Sequence, residues 1–264
     1  MRKQMRIAVI AVLFGLLALS SAWAQASGNA ELAPGGTLRV AVVGNDPVLV
    51  SKRPDGTFVG IAMDLANFLA GKLDAKLKPV VYPDLETYAK SLGKGEWDLV
   101  IGPRRPLEGD KLDLGPFVLN VDALYVAAPG RSFAKASEVD RSGVKVAAAV
   151  QDGSPEKFLA ATLKSATLVP LPPGASYAVD ALQSGKADVY GANGEIAHAV
   201  AARLPGAKVV EGPFATAGIA LQLPKGKSLA ARNRLLEVVK EAKARNLPQE
   251  WIKRHGLKAV RPVP

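Results

Sequence analysis

The sequence predicts an α/β chain of two similar lobes that face each other across a cleft. Three observations carry this reading. Strand-like and helix-like segments alternate along most of the chain, a short pattern recurs ninety residues apart, and the composition suits a large buried core. Hydrophobic residues make up 48% of the 264 and charged residues 22%, enough apolar surface for one or two ordinary domains. With no cysteine and only two histidines, disulfides, thiolate nucleophiles and cysteine-based zinc sites are excluded. No metal or other cofactor is expected.

The N-terminus reads as an export signal. Arg2, Lys3 and Arg6 precede a 13-residue apolar run, 7–19, and then the small-residue exit Ala22-Trp23-Ala24. A basic start, a short apolar stretch and such an exit are the anatomy of a secretory signal peptide, and the run is shorter than the ~20 residues of a spanning helix. A signal peptide is therefore expected over 1–24, with cleavage after Ala24. Its loss takes three basic residues and no acid, so the net charge falls from +10 to +7.

After a small, glycine-containing stretch expected to be a flexible lead (25–36), the β-branched run at 37–43 predicts a buried strand. Ile61, Leu65, Phe68 and Leu69 recur at helical spacing and predict a helix ending near Leu73. Further segments read as strand at 78–82, helix at 85–92 and strand at 98–101. The alternation then restarts with strands at 144–150, 167–171 and 187–190 and helices at 154–164, 176–183 and 193–204. A strand at 217–223 and helices at 228–245 and 248–255 close the chain. Such alternation with apolar strands implies parallel sheets covered by helices.

The recurring pattern is L-x-x-G-x-x-D: Leu92 to Asp98 with Gly95, and Leu182 to Asp188 with Gly185. Each copy ends a helix and runs into an apolar strand. A glycine there suits the left-handed turn after a helix, and an aspartate at a strand entry can bond nearby backbone N–H groups. Two copies in equivalent places point to two similar lobes, with ligands expected beyond the carboxyl ends of the strands.

The chemistry-bearing motifs are few. No phosphate-binding G-x-x-x-x-G-K-S/T, no G-x-G-x-x-G and no G-x-S-x-G occurs. The basic residues are scattered singly among acids, and the later group from Arg232 to Lys258 reads as the solvated face of C-terminal helices or as a surface for an acidic partner or anionic lipid heads, so no nucleic-acid partner is expected. Binding equipment remains. Gly153-Ser154 opens a helix, with Ser154 placed as cap and Pro155 as first helical residue, a natural anion cup. Asn45 and Asp46 lie in the matching strand-exit turn of the first half. Arg104 and Arg105 follow a strand at its carboxyl end, as ligand clamps or a solvated loop. Asn193 begins a helix, as its cap or as a ligand contact.

These segments together resemble the family 3 extracellular solute-binding proteins, the periplasmic receptors of polar-amino-acid ABC importers. The resemblance lies in residues 36–42, Asp55-Gly56, Val59-Gly60, 63–66, 95–98, 111–117, 150–154 and 182–188, in the family's order and spacing. It implies a type II periplasmic-binding-protein fold: two α/β lobes joined by a two-strand hinge that closes on a ligand. On that template lobe 1 spans 37–126 plus 218–264 and lobe 2 spans 127–217. The family's carboxylate-gripping arginine falls here on Glu108, and its ammonium-binding aspartate aligns with Asn193. Pro47-Val48-Leu49 stands where a stacking aromatic is usual.

These departures imply a small anionic or polar solute in place of an ordinary α-amino acid. Arg104 or Arg105 with Ser154 would hold its negative end, and Glu108 or Asn193 its hydrogen-bond donors. The expected partners are that solute and a membrane permease, with the receptor a periplasmic monomer. Two alternatives differ in class. One is a cyclohexadienyl-dehydratase-like enzyme using Glu108 or Glu195 as general acid; the other is an accessory or sensory protein beside a periplasmic dehydrogenase or signalling protein.

Overall fold

The computed structural model describes residues 25–44, 48–150 and 155–264. The expected signal peptide lies outside them, as do Asn45, Asp46, Gly153 and Ser154.

The stretch expected to be a flexible lead is structured. Residues 25–32 form a helix, α1, followed by a tight turn at Pro34–Gly36. Leu32 is buried in the core, Asn29 Oδ1 accepts from Arg234 Nε at 2.8 Å, and Glu31 Oε1 accepts from Ser228 N at 3.0 Å. A Cβ on Gly28 would stand 2.8 Å from the Ala230 carbonyl oxygen, so glycine permits this close docking. Arg234, expected on a solvated face, is consumed here, since its Nη2 also donates to the Lys72 carbonyl at 2.7 Å.

The first parallel unit is β1 (Thr37–Val43), α2 (Ile61–Lys72), β4 (Lys76–Tyr82), α3 (Leu85–Ser91) and β5 (Leu99–Pro103), with a small hairpin of β2 (Ser51–Lys52) and β3 (Phe58–Val59) between β1 and α2. A 3-10 turn at Pro106–Lys111 leads into β6 (Leu112–Ala127). The second unit is β7 (Lys145–Ala149), α4 (Glu156–Thr162), β8 (Thr167–Leu171), α5 (Ala175–Gln183), β9 (Val189–Asn193), α6 (Gly194–Arg203) and β10 (Lys208–Val209). The chain returns along β11 (Ala215–Pro224) and ends with α7 (Leu229–Ala244), α8 (Leu247–Arg254) and β12 (Val260–Pro262).

Apart from the β2–β3 hairpin, the strands join one sheet in the order β4-β1-β5-β11-β6-β9-β7-β8, with β10 and β12 added to β6. Read from either edge, three parallel strands meet one antiparallel crossing strand, so the two halves repeat one arrangement. Both edge strands carry a proline, Pro79 in β4 and Pro170 in β8. That is where a residue lacking N–H is tolerated and where it discourages further pairing. Apolar clusters cover both faces of each half. Leu38, Ile61, Leu65, Leu235 and Trp251 lie on one face of the first and Tyr88, Trp97 and Leu112 on the other. In the second half, Tyr190, Leu182 and Val200 oppose Tyr125, Val146 and Leu159.

The repeated L-x-x-G-x-x-D pattern does the same work in each half. Gly95 and Gly185 both adopt positive φ, 70° and 74°. Asp98 Oδ2 accepts from Arg39 N at 3.0 Å, and Asp188 Oδ2 accepts from Lys145 N at 2.8 Å. Each aspartate also pairs with an arginine, Arg39 and Arg131 respectively.

The two long strands β6 and β11 run antiparallel between the halves, from Leu112 opposite Pro224 to Ala123 opposite Ala215. Their register shifts around Ala220, beside Pro116, whose missing N–H is harmless where the ladder is interrupted. β6 escapes the sequence reading: Gly115, Pro116, Asn120 and Asp122 break its apolar pattern.

Candidate functional site

The carboxyl ends of β5 and β9 both lie alongside the crossing strands. Pro103, the last residue of β5, lies opposite Ile219, which in turn lies opposite Leu119. Asn193, the last of β9, lies opposite Ala123. Along β6 the two strand ends are therefore four residues apart, about 13 Å at the rise of an extended chain. Ligands of open α/β sheets bind beyond such ends, and here two of them converge from opposite halves.

At the β5 end the neighbouring arginines separate. Arg104 is exposed, and its Nη2 donates to the Gly109 carbonyl at 2.8 Å, closing the short loop on itself. Arg105 turns inward: its guanidinium lies 3.5 Å from Glu108 Oε1, 3.3 Å from the Pro103 carbonyl and over the Tyr88 ring. Of the two expected clamps, only Arg104 faces solvent.

Glu108 corrects the expectation most sharply. Expected to meet the donors of a solute, it is fully buried. Its Oε1 accepts from the Tyr88 hydroxyl at 2.9 Å and its Oε2 from Arg105 N at 2.8 Å. The second bond is half of a capping box that shapes the 3-10 turn. Burial, reinforced by the Glu108 charge, drives the Tyr88 hydroxyl well above the ordinary tyrosine range. Gln222 of β11 closes the inner side of this group, with Nε2 3.5 Å from the Pro103 carbonyl and no hydrogen-bond partner for its buried Oε1 among the described residues.

At the β9 end Asn193 caps α6, its Oδ1 accepting from Glu195 N at 3.0 Å. The side chain stays half-buried, with its amide N–H₂ group free of that cap bond. Glu195 is committed elsewhere: its Oε1 accepts from Lys258 N at 2.6 Å and Ala259 N at 2.7 Å. Both carboxylates considered as general acids are thus engaged in holding backbone, Glu108 in its loop and Glu195 at the C-terminal segment.

α4 starts at Glu156 with Pro155 as its cap, one residue later than the sequence predicts. Val48 and Leu49, at the position of the absent aromatic, are buried in the first core. The crossing strands add residues that the sequence reading did not single out. Asp122 of β6 accepts from Thr216 of β11 and from Arg261 of β12. Each is unremarkable in sequence, and only strand pairing brings them together. Among the described residues no group of three or more His, Asp or Glu could hold a metal ion, and no helix is long and apolar enough to cross a membrane.

No protein-family model matches the chain, and no curated protein matches it in sequence. Solved structures match it in fold. An ancestral cationic amino acid solute-binding protein aligns with a TM-score of 0.67 at 20% identity, over 86% of this chain and 98% of its own. The second substrate-binding domain of a putative amino acid ABC transporter from Streptococcus pneumoniae aligns at 0.64 and 14% identity, over 83% and 99%. An ancestral cyclohexadienyl dehydratase aligns at 0.56 and 22% identity, over 86% and 95%. The chain therefore has the type II periplasmic-binding-protein fold, with two α/β halves joined through crossing strands.

Proposed function

We propose that this is a solute-binding protein of the family 3 type, which captures a small polar or anionic solute between its lobes and delivers it to the permease of an ABC importer. The carrying observation is the convergence of two strand ends, Pro103 and Asn193, from opposite halves onto one pair of crossing strands. Fold neighbours that are amino acid-binding proteins and transporter substrate-binding domains support the reading. In this proposal lobe 1 is 37–126 plus 218–264 and lobe 2 is 127–217. The protein acts as a periplasmic monomer after removal of residues 1–24.

The solute's negative end is assigned to Arg104, with Gly153-Ser154 of lobe 2 as its partner; Asn45, Asp46 and Asn193 supply polar contacts. Arg105 and Glu108 leave the list of direct contacts, because each satisfies the other inside lobe 1. An uncharged Asn193 cannot offset a buried ammonium, so the solute is a carboxylate or polar compound and not an ordinary α-amino acid. The enzymatic reading loses support, since Glu108 and Glu195 are both spent on structural hydrogen bonds.

Calorimetric titration of residues 25–264 with the common amino acids and with small carboxylates tests the proposal. A carboxylate that binds and is weakened by Arg104→Ala is expected. Tight binding of a plain amino acid, unchanged in both Arg104→Ala and Arg105→Ala, would overturn it.

A further inference from the structure

The crossing between the halves holds more than the two long strands. β12 pairs antiparallel with β6 at Val121, Asn120 and Leu119, on the edge of β6 that β9 occupies from Ala123 onward. β12 thus continues the line of β9 where the chain leaves for α6. Asp122 joins all three strands at one carboxylate: Oδ1 accepts from Thr216 Oγ1 at 2.7 Å and from Arg261 Nη2 at 3.2 Å, and Oδ2 accepts from Arg261 Nε at 3.3 Å.

The segment that leads into this strand is tied to both halves. On one side it follows α8, whose Trp251 and Ile252 lie with Val260 in the first half's core. On the other, Glu195 at the start of α6 in the second half accepts both Lys258 N and Ala259 N with one oxygen. The fit is tight: a Cβ on Gly194 would stand 2.1 Å from the Ala259 Cβ and 2.8 Å from the Asp122 carbonyl oxygen. α6 thus belongs to the second half, whereas residues 258–259 follow α8, which packs on the first.

We infer that the C-terminal segment is a third hinge strand, and that Glu195 latches it so as to set the resting angle between the lobes. Bonds from a carboxylate to two backbone N–H groups are short and directional. They are satisfied at one interlobe angle and surrendered to water at others. A contact that differs between two arrangements biases their populations.

The inference rests on hinge motion and on no particular solute, so a ligand-free measurement reads it and its failure leaves the solute-binding proposal standing. The chain has no cysteine, so nitroxide labels on Lys94→Cys and Lys186→Cys, exposed positions in opposite halves, report the interlobe distance by electron–electron double resonance. Glu195→Ala is expected to shift or broaden the distribution beyond its width in the parent. Glu195→Gln, which keeps an acceptor oxygen, is expected to superimpose on the parent. A Glu195→Ala distribution identical to the parent, or a Glu195→Gln shift as large as that of Glu195→Ala, overturns the latch. Should Glu195→Ala fail to fold, Glu195→Asp, whose shorter side chain cannot reach Lys258 N and Ala259 N together, takes its place with the same expected shift, and a distribution identical to the parent again overturns the latch.

Discussion

Asp98 and Asp188 stand in matching places in the two halves, each entering a parallel strand and accepting the backbone N–H of the neighbouring strand's early residue, Arg39 or Lys145. The reciprocal bonds, from Asp98 N to the Arg39 carbonyl and from Asp188 N to the Lys145 carbonyl, are both 2.9 Å. Each carboxylate therefore fixes where its central strand starts.

If the two aspartates serve equivalent roles, Asp98→Asn and Asp188→Asn lower stability by similar amounts. About 1.5–3 kcal/mol is expected for a charge-assisted bond. Hydrogen exchange separates them, because local opening stays within the affected unit. Asp98→Asn speeds exchange in β1 and β5, and Asp188→Asn in β7 and β9.

Arg104 and Arg105 are expected to dissociate in assay. Arg105→Ala leaves the buried Glu108 charge without its guanidinium partner and lowers unfolding stability by about 3 kcal/mol. Arg104→Ala, exposed and bonded only within its loop, leaves the urea midpoint nearly unchanged. It weakens binding of a carboxylate solute roughly ten- to hundredfold.

Removing the other partner gives a graded series. Glu108→Ala strips the acceptor from the Tyr88 hydroxyl and from Arg105, and a loss of about 3–5 kcal/mol follows. Tyr88→Phe deletes one charge-assisted bond of the same group at a cost of about 1.5–3 kcal/mol. Chemical denaturation orders the variants, with Glu108→Ala the least stable.

Asp140 supplies the pH test. Its carboxylate accepts from the backbone N–H groups of Lys164, Ser165 and Ala166, and those bonds hold it below the ordinary aspartate range. A depressed carboxylate contributes its stability fully above the unfolded-state value and loses it as pH falls through the folded one. The difference in Tm between the parent and Asp140→Asn is therefore constant at neutral pH and shrinks below about pH 4.

The parallel units were legible in the sequence because local signals specify them: β-branched runs, helical spacing, and the glycine and aspartate of the repeated pattern. β6 was not, since its exposure changes along sixteen residues as it passes from one half to the other. β12 is only three residues long and becomes a strand only because β6 offers it an edge. The candidate site was half legible. The position of Arg104 and Arg105 at a strand end could be read, but which of them turns inward is decided by Tyr88, contributed by α3. The burial of Glu108 has the same nonlocal cause. Arg234 and the residues around Asn29 lie two hundred positions apart, and no periodic pattern foretells their bond.

The order in which strands enter the sheet also governs assembly. β7, β8 and β9 are consecutive in the chain and pair among themselves, so a polypeptide lengthening from its N-terminus holds the complete parallel core of the second half at Asn193. The first half begins earlier but finishes later. The face formed by Leu38, Ile61 and Leu65 is covered by Leu235 and Trp251, which are synthesised near the end. Contacts of such sequence separation form slowly, so the half that starts first is the half that must wait.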